Sequence, residues 1–141
     1  MVVKKPESKY ETVLLLDDSE IDNFINLKIV EGCNFSERVY MFTNAKGAIE
    51  FLKNLERDKS LNPVLVPQLI FVDLNMPIMD GFQFIEEYEK LSEKVKRQGA
   101  LIILTSSDNP RDNESAPFMK NKYIRKFISK PLTIKHLTQM F

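Results

Sequence analysis

The stretch LIFVDLNMPIMDGF, residues Leu69 to Phe82, decides the fold because an apolar run ends there on a single acid, Asp73. Four consecutive apolar residues predict a strand that is buried on both faces, as in the parallel sheets of α/β proteins. Asp73 then lies at the carboxyl end of that strand. Because open α/β sheets bind their ligands at this edge, Asp73 is a candidate reactive group.

The size and composition of the chain favour one soluble globular domain. It has 141 residues, of which 43% are hydrophobic and 28% charged, so we expect one sizeable core and no membrane span. Its 20 basic and 20 acidic residues cancel, which argues for neither a nucleic-acid nor a membrane partner. The first ten residues are too polar for a signal peptide, and Cys33 is the single cysteine. We therefore expect a cytoplasmic location.

Apolar runs alternate with helical patterns along the chain. Strands are predicted at residues 12–16, 38–42, 68–72, 100–104 and 124–128. Helices are predicted after the N-caps Ser19 and Asn44, from about 82 to 91, near 111–121 and near 133–141. The first helix carries an apolar face formed by Ile21, Phe24, Ile25 and Ile29. The alternation predicts an α/β fold, a doubly wound five-stranded parallel sheet with helices on both faces.

Polar residues occur where the predicted strands end. They are Asp17 and Asp18, Asp73, Thr105 and Lys130. Each alone is explained as a helix cap, a turn residue or a solvated lysine, but parallel strands bring all of them to one edge. Three clustered carboxylates repel one another unless a cation neutralises them. An oxygen-only site of this kind suits Mg²⁺ better than zinc.

Four motifs resemble the receiver domain of bacterial two-component response regulators, specifically the single-domain, chemotaxis-regulator-like members. They are LLLDDSE, FVDLNMPIMDGF, LIILTSS and FISKPL, and the resemblance runs from about Val13 to Phe141. It implies the flavodoxin-like receiver fold, with residues 1–10 as an N-terminal extension and 11–141 as the receiver domain. It also implies a phosphoprotein that takes part in phosphorelay signal transduction.

The resemblance further implies a role for each acid at the strand ends. Asp73 would be the phosphoacceptor, Asp18 a direct Mg²⁺ ligand and Asp17 an acid that acts through water. The backbone carbonyl of Asn75 would be another metal ligand. A carboxylate is ionised near neutral pH, so Asp73 can attack a phosphohistidine without a general base, and His136 is not needed as a proton relay.

Other positions would bind the phosphoryl group and transmit its presence. By resemblance, Thr105 and Lys130 contact the phosphoryl oxygens, and Thr105 and Phe127 form the switch. Ser107, like Asn75, lies where family members tune the lifetime of the aspartyl phosphate. The Lys130–Pro131 bond is expected to be cis, because the turn must return the lysine over Asp73 and X–Pro bonds tolerate that isomer.

The implied partners are a sensor histidine kinase or a histidine phosphotransfer protein. An output protein or a second copy would bind the face of the predicted fourth helix, fifth strand and final helix, which is the basic stretch from Lys120 to Lys135. We expect no nucleic-acid or membrane partner for this chain.

The resemblance implies a phosphoacceptor that is not an enzyme, apart from self-phosphotransfer and autodephosphorylation. Two alternative functions compete with this interpretation. A haloacid-dehalogenase-type phosphatase also uses a strand-end aspartate, but it needs a second acid two residues later, where this sequence has Asn75. The other alternative is a receiver that serves as a non-phosphorylated scaffold, although every expected site residue is present.

Overall fold

Five parallel strands form one sheet in the computed structural model, which describes residues 8–96, 99–105 and 121–141. All predicted strands are present, with ends that differ from the prediction by one or two residues. The doubly wound α/β fold is therefore confirmed. The strands are β1 (Tyr10–Leu16), β2 (Ser36–Phe42), β3 (Leu69–Asp73), β4 (Ala100–Thr105) and β5 (Ile124–Ser129), in the sheet order β2-β1-β3-β4-β5.

Helices cover both faces of this sheet. Residues 111–120 of the predicted helix near 111–121 lie outside the described residues, and the one-turn α4 is an addition to the predicted elements. Within the described ranges, no helix combines the length and apolarity needed to cross a bilayer. The helices are α1 (Glu20–Gly32), α2 (Ala45–Arg57), α3 (Gly81–Glu89), α4 (Glu93–Lys96) and α5 (Ile134–Gln139), and a 3₁₀ turn covers Pro63–Leu65.

The alternation of side chains along the central strands divides the core into two layers. Leu14 and Val72 pack with α2 and α3 on one face of the sheet, whereas Leu15 and Phe71 pack with α1 and α5 on the other. Because both faces are covered, β1, β3 and β4 must be apolar at nearly every position. This is why the central strands are continuous hydrophobic runs in the sequence.

The helix caps explain several polar residues that precede the helices. The Ser19 hydroxyl accepts the Asp22 N–H at 3.2 Å, and Asn44 Oδ1 accepts the Gly47 N–H at 2.6 Å, so both predicted N-caps are confirmed. Thr133 caps α5, and the Thr133 N–H donates to His136 Nδ1 at 3.0 Å. His136 is half-buried and completes a capping box, which gives this lone histidine a structural role.

Three of the four residues of the apolar face predicted for α1 do not pack on the sheet, whereas Ile29 is half-buried and packs against the core layer of α1 and α5. Ile21, Phe24 and Ile25 are 73%, 55% and 47% exposed, whereas Asn23 and Val30, on the other side of the helix, are buried. Apolar periodicity correctly indicated a helix here. The side that packs is decided by contact with β1 and β2, and part of that contact is polar.

The start of α3 packs unusually close to the end of β3. A Cβ added at Gly81 would lie 2.7 Å from Leu74 Cα and 2.9 Å from the Asp73 carbonyl oxygen. The Gly81 N–H also donates to the Leu74 carbonyl at 3.1 Å. Glycine is therefore required for steric reasons, because the clashing atoms belong to the backbone that carries Asp73.

We expect Gly81→Ala to lower the free energy of unfolding by about 2 kcal/mol, as overpacking against backbone does. Gly32→Ala is the matched control, because a Cβ at Gly32 meets no atom within 4 Å, and it should raise stability by about 0.5 kcal/mol by restricting the unfolded chain. Urea denaturation of both variants tests this. Equal effects of the two substitutions would contradict the close packing of α3 on β3.

Candidate functional site

Three carboxylates converge at the carboxyl edge of the sheet. Leu16, the last residue of β1, pairs with Val72 in β3, so Asp17 and Asp73 follow on adjacent strands. Asp18 comes next in the loop to α1. Each of the three acids offers an oxygen atom, and these atoms all lie within 4.8 Å of one another. The structure thus assembles the acid cluster that the strand ends predicted.

Both carboxylate oxygens of Asp17 accept hydrogen bonds. Its Oδ1 accepts the Ser19 N–H at 3.0 Å, and its Oδ2 accepts a hydrogen bond from Lys130 Nζ at 3.0 Å. Asp17 is buried, whereas Asp18 is exposed to solvent. The two neighbouring acids therefore differ in what they can offer a ligand, since only Asp18 presents an open carboxylate.

Asp73 is the last residue of β3 and is buried. Its Oδ1 accepts the Asn75 N–H at 3.1 Å, and its Oδ2 lies 3.1 Å from Lys130 Nζ. Burial raises the pKa of the Asp73 carboxyl to about 6, although the Asn75 N–H and the charge of Lys130 lower it and the charge of Asp17 raises it further. Asp73 is ionised near neutral pH but poorly solvated, which suits a nucleophilic carboxylate.

Lys130 follows β5 directly and bridges the two buried acids. Burial lowers the pKa of its ammonium, but the hydrogen bond that it donates to Asp17 and the charges of Asp73 and Asp17 outweigh burial, so the pKa lies above its ordinary value. The Lys130 N–H donates to the Thr105 carbonyl at 2.9 Å, which continues the pairing of β4 with β5. The Lys130–Pro131 bond is cis, as expected.

Thr105 ends β4 on the strand next to β3. The preceding residue, Leu104, pairs with Asp73, and Thr105 itself pairs with Ser129 in β5. Thr105 is 7% exposed. The register therefore puts a buried threonine between the Asp73 strand and the Lys130 strand, on the edge where the acids meet.

Comparison with known proteins shows the family to which this chain belongs. The family model described as response regulator receiver domain matches residues 13–141. The chain belongs to the response regulator receiver domain family. Its relative CheAY, a sensor histidine kinase of Helicobacter pylori, is 30% identical over 129 residues, which are 89% of this receiver domain but only 14% of the kinase.

Solved structures show the same receiver fold. A two-component response regulator from Cytophaga hutchinsonii is 30% identical to the receiver domain, with a TM-score of 0.77 and 94% of each chain covered. The receiver domain of sensor histidine kinase PA1611 from Pseudomonas aeruginosa, solved with a magnesium ion in its active site cleft, is 17% identical, with a TM-score of 0.66 and 93% of each chain covered. The second similarity concerns the fold alone.

The acid cluster of this receiver domain fits a hard divalent cation. All of its donor atoms are carboxylate oxygens that lie close together, and two of the three acids, Asp17 and Asp73, are buried. Mg²⁺ accepts few protein ligands and keeps several waters, which matches a cluster with one open carboxylate, Asp18. Asn75, two residues after Asp73, is exposed in the loop that follows β3.

Some predicted positions in the receiver domain are away from the acids or outside the described residues. Phe127 is half-buried in β5, where its ring packs against the core layer of α2 and α3. Ser107 and Lys120 lie outside the described residues. Sequence reasoning missed Asn23, a buried amide beside the acid loop. The available signal was an asparagine six positions after Asp17, in the first turns of the helix that follows the acids.

The raised pKa of Asp73 predicts a pH-dependent gain in stability for Asp73→Asn. The folded state binds this proton more tightly than the unfolded chain, whose carboxyl has the ordinary pKa of 3.8. The stabilisation from the protonated form is complete below about pH 4 and is lost as pH rises through about 6. At pH 7.5 and without divalent ions, the amide variant should be about 2 kcal/mol more stable than the native chain.

Urea denaturation in chelator at pH 7.5 and pH 4.5 measures this difference, which should shrink at the lower pH. Glu50→Gln, which changes an exposed carboxylate on α2, is the control and should give equal shifts at both pH values. A gain for Asp73→Asn that is the same at both pH values would contradict the cause given for its pKa.

Proposed function

We propose that this receiver domain accepts a phosphoryl group on Asp73 from a sensor histidine kinase or a histidine phosphotransfer protein, in an Mg²⁺-dependent reaction. The observation that carries the proposal is the environment of Asp73. A buried carboxylate at a strand end is held by one backbone N–H and one ammonium, beside two further acids. The kinase partner agrees with the relative CheAY, which is a sensor histidine kinase.

The residues of the site match what phosphoryl transfer requires. One Asp73 oxygen would form the new bond to phosphorus as the P–N bond of the phosphohistidine breaks, and the electron pair of that bond stays on the imidazole nitrogen. Lys130 provides positive charge next to Asp73, at 3.1 Å, and Thr105 would donate its hydroxyl hydrogen to a phosphoryl oxygen. Such positioned charges are the main source of catalysis in phosphoryl transfer.

The proposed metal ligands are Asp18, Asp73 and the backbone carbonyl of Asn75, with Asp17 acting through water. Both oxygens of Asp17 already accept hydrogen bonds, whereas Asp18 is exposed. When bound, Mg²⁺ would neutralise the acids and the incoming phosphoryl charge. Lys130 then has a second role, because its ammonium can move from the carboxylates to a phosphoryl oxygen.

The same observations weigh against the two alternatives. A phosphatase of the haloacid dehalogenase type needs an acid two residues after the nucleophile, and Asn75 has no carboxylate. A non-phosphorylated scaffold would not need a buried aspartate next to a lysine. The proposal also includes a cytoplasmic location, consistent with the free Cys33, and a domain from 11 to 141 after an extension of ten residues.

Labelling with radioactive acetyl phosphate tests the phosphoacceptor directly. We expect stoichiometric, hydroxylamine-labile incorporation that requires Mg²⁺, because three carboxylates must be neutralised before a dianion approaches. Asp73→Asn should abolish it, whereas Asp22→Asn, which changes an exposed acid in the first turn of α1, should label normally. Incorporation into Asp73→Asn, or full labelling in excess chelator, would refute the proposal. Multiple turnover of p-nitrophenyl phosphate would favour the phosphatase.

The proposed output is a change in the surface around β5. If the Thr105 hydroxyl moves toward the phosphoryl group, Phe127 can turn further into the core, and burial of the ring would drive this movement. The surface beside it is basic in the described residues, with Lys122, Arg125 and Lys135 exposed. An acidic output partner or a second copy would bind this surface.

Phe127→Ala should leave labelling intact but remove the response to activation, because the ring is the moving part. Sedimentation velocity with and without beryllofluoride, at low and high salt, measures self-association. Phe82→Ala, which truncates another half-buried ring of the same core layer, controls for loss of packing and should keep the response. If activation changes neither oligomeric state nor salt sensitivity in the native chain, self-association through this basic surface is wrong.

A further inference from the structure

We propose that Asn23 is a positioning residue that orients the Asp17–Asp18 peptide for the metal. The inference rests on the proposed function, since it concerns the same acid cluster. Asn23 lies on the sheet-facing side of α1 and is 3% exposed. It is thus a buried amide in a helix that leaves three large apolar side chains, Ile21, Phe24 and Ile25, exposed.

The Asn23 amide group joins three elements of the fold. Its Nδ2 donates to the Asp17 carbonyl at 3.2 Å and to the Phe42 carbonyl at 2.9 Å. The Phe42 carbonyl also accepts the Asp17 N–H at 3.2 Å. One side chain of α1 therefore ties the residue after β1 to the last residue of β2.

The bond to the Asp17 carbonyl matters because that oxygen belongs to the peptide between Asp17 and Asp18. A peptide unit is planar, so holding its oxygen restricts the direction in which the chain enters Asp18. The Asp18 side chain is exposed, and its place in the cluster depends on this backbone. Asn23 is buried and does not belong to the acid cluster. It would therefore act on the metal through the backbone of Asp17 and Asp18 and not as a ligand.

The Oδ1 atom of Asn23 indicates that asparagine is not the most stabilising residue for this position. Asn23 Oδ1 is buried and has no hydrogen-bond partner among the described residues. A buried acceptor without a partner is destabilising, and an apolar residue of similar size would avoid that cost. The side chain thus orients the loop by its donor group at the expense of an unsatisfied acceptor.

The test compares Mg²⁺ affinity with stability in Asn23→Leu and Asn23→Ala, made in the full chain. Titration calorimetry gives the Mg²⁺ dissociation constant, and the free-ion EPR signal gives that of Mn²⁺ as a spectroscopic probe. Both variants should bind each ion about tenfold more weakly, at the lower end of the effects of residues that support metal ligands. The unfolding midpoint of Asn23→Leu should stay close to that of the native chain, because the substitution removes the unpaired Oδ1 together with the hydrogen bonds that Nδ2 donates.

Val30→Ala is the matched control on the same buried side of α1, because it removes packing without touching the acid loop. It should lower stability and leave both dissociation constants unchanged. If either Asn23 variant folds and binds the ions within twofold of the native chain, the positioning role is wrong. If the native chain itself binds neither ion, the proposed function is wrong and this inference fails with it. The measurement on the native chain therefore separates failure of the proposed function from failure of the positioning role alone.

Discussion

The Lys130 ammonium holds together two buried carboxylates that would otherwise repel each other. It lies 3.0 Å from Asp17 Oδ2 and 3.1 Å from Asp73 Oδ2. Burying one charge is costly, and burying two of the same sign is more so unless an opposite charge and hydrogen bonds compensate. The remaining oxygens of these acids accept the N–H groups of Ser19 and Asn75. The site is therefore stable without a phosphoryl group, yet it retains a carboxylate with a raised pKa.

This compensation depends on the sheet order. Lys130 and Asp17 are 113 positions apart, and they meet because β1, β3, β4 and β5 run parallel and end at the same edge. The close packing of Gly81 on the Asp73–Leu74 backbone fixes the loop after β3, and the Asn23 amide fixes the loop after β1. Both contacts are between backbone and a neighbouring helix, so the helices position the acids as well as covering the core.

Much of this arrangement follows from local sequence patterns. The central strands are buried on both faces, which requires continuous apolar runs. These runs allowed the strands, and the polar residues at their ends, to be predicted from the sequence. Ser19 and Asn44 were correctly identified as caps because their side chains satisfy free N–H groups. The motifs at the strand ends predicted the members of the acid cluster and Lys130, since parallel topology leaves only one edge at which they can meet.

By itself, then, the sequence determined the strands, the helix starts and the identity of the residues at the strand ends, because these depend on periodicity and on short-range capping. Tertiary structure alone decided which side of α1 packs on the sheet. There Ile21 and Phe24 stay exposed while Asn23 is buried, because hydrogen bonds to the ends of β1 and β2 compete with apolar burial. It also decided the hydrogen bonds of Lys130 and the space at Gly81, since each depends on atoms contributed by distant segments.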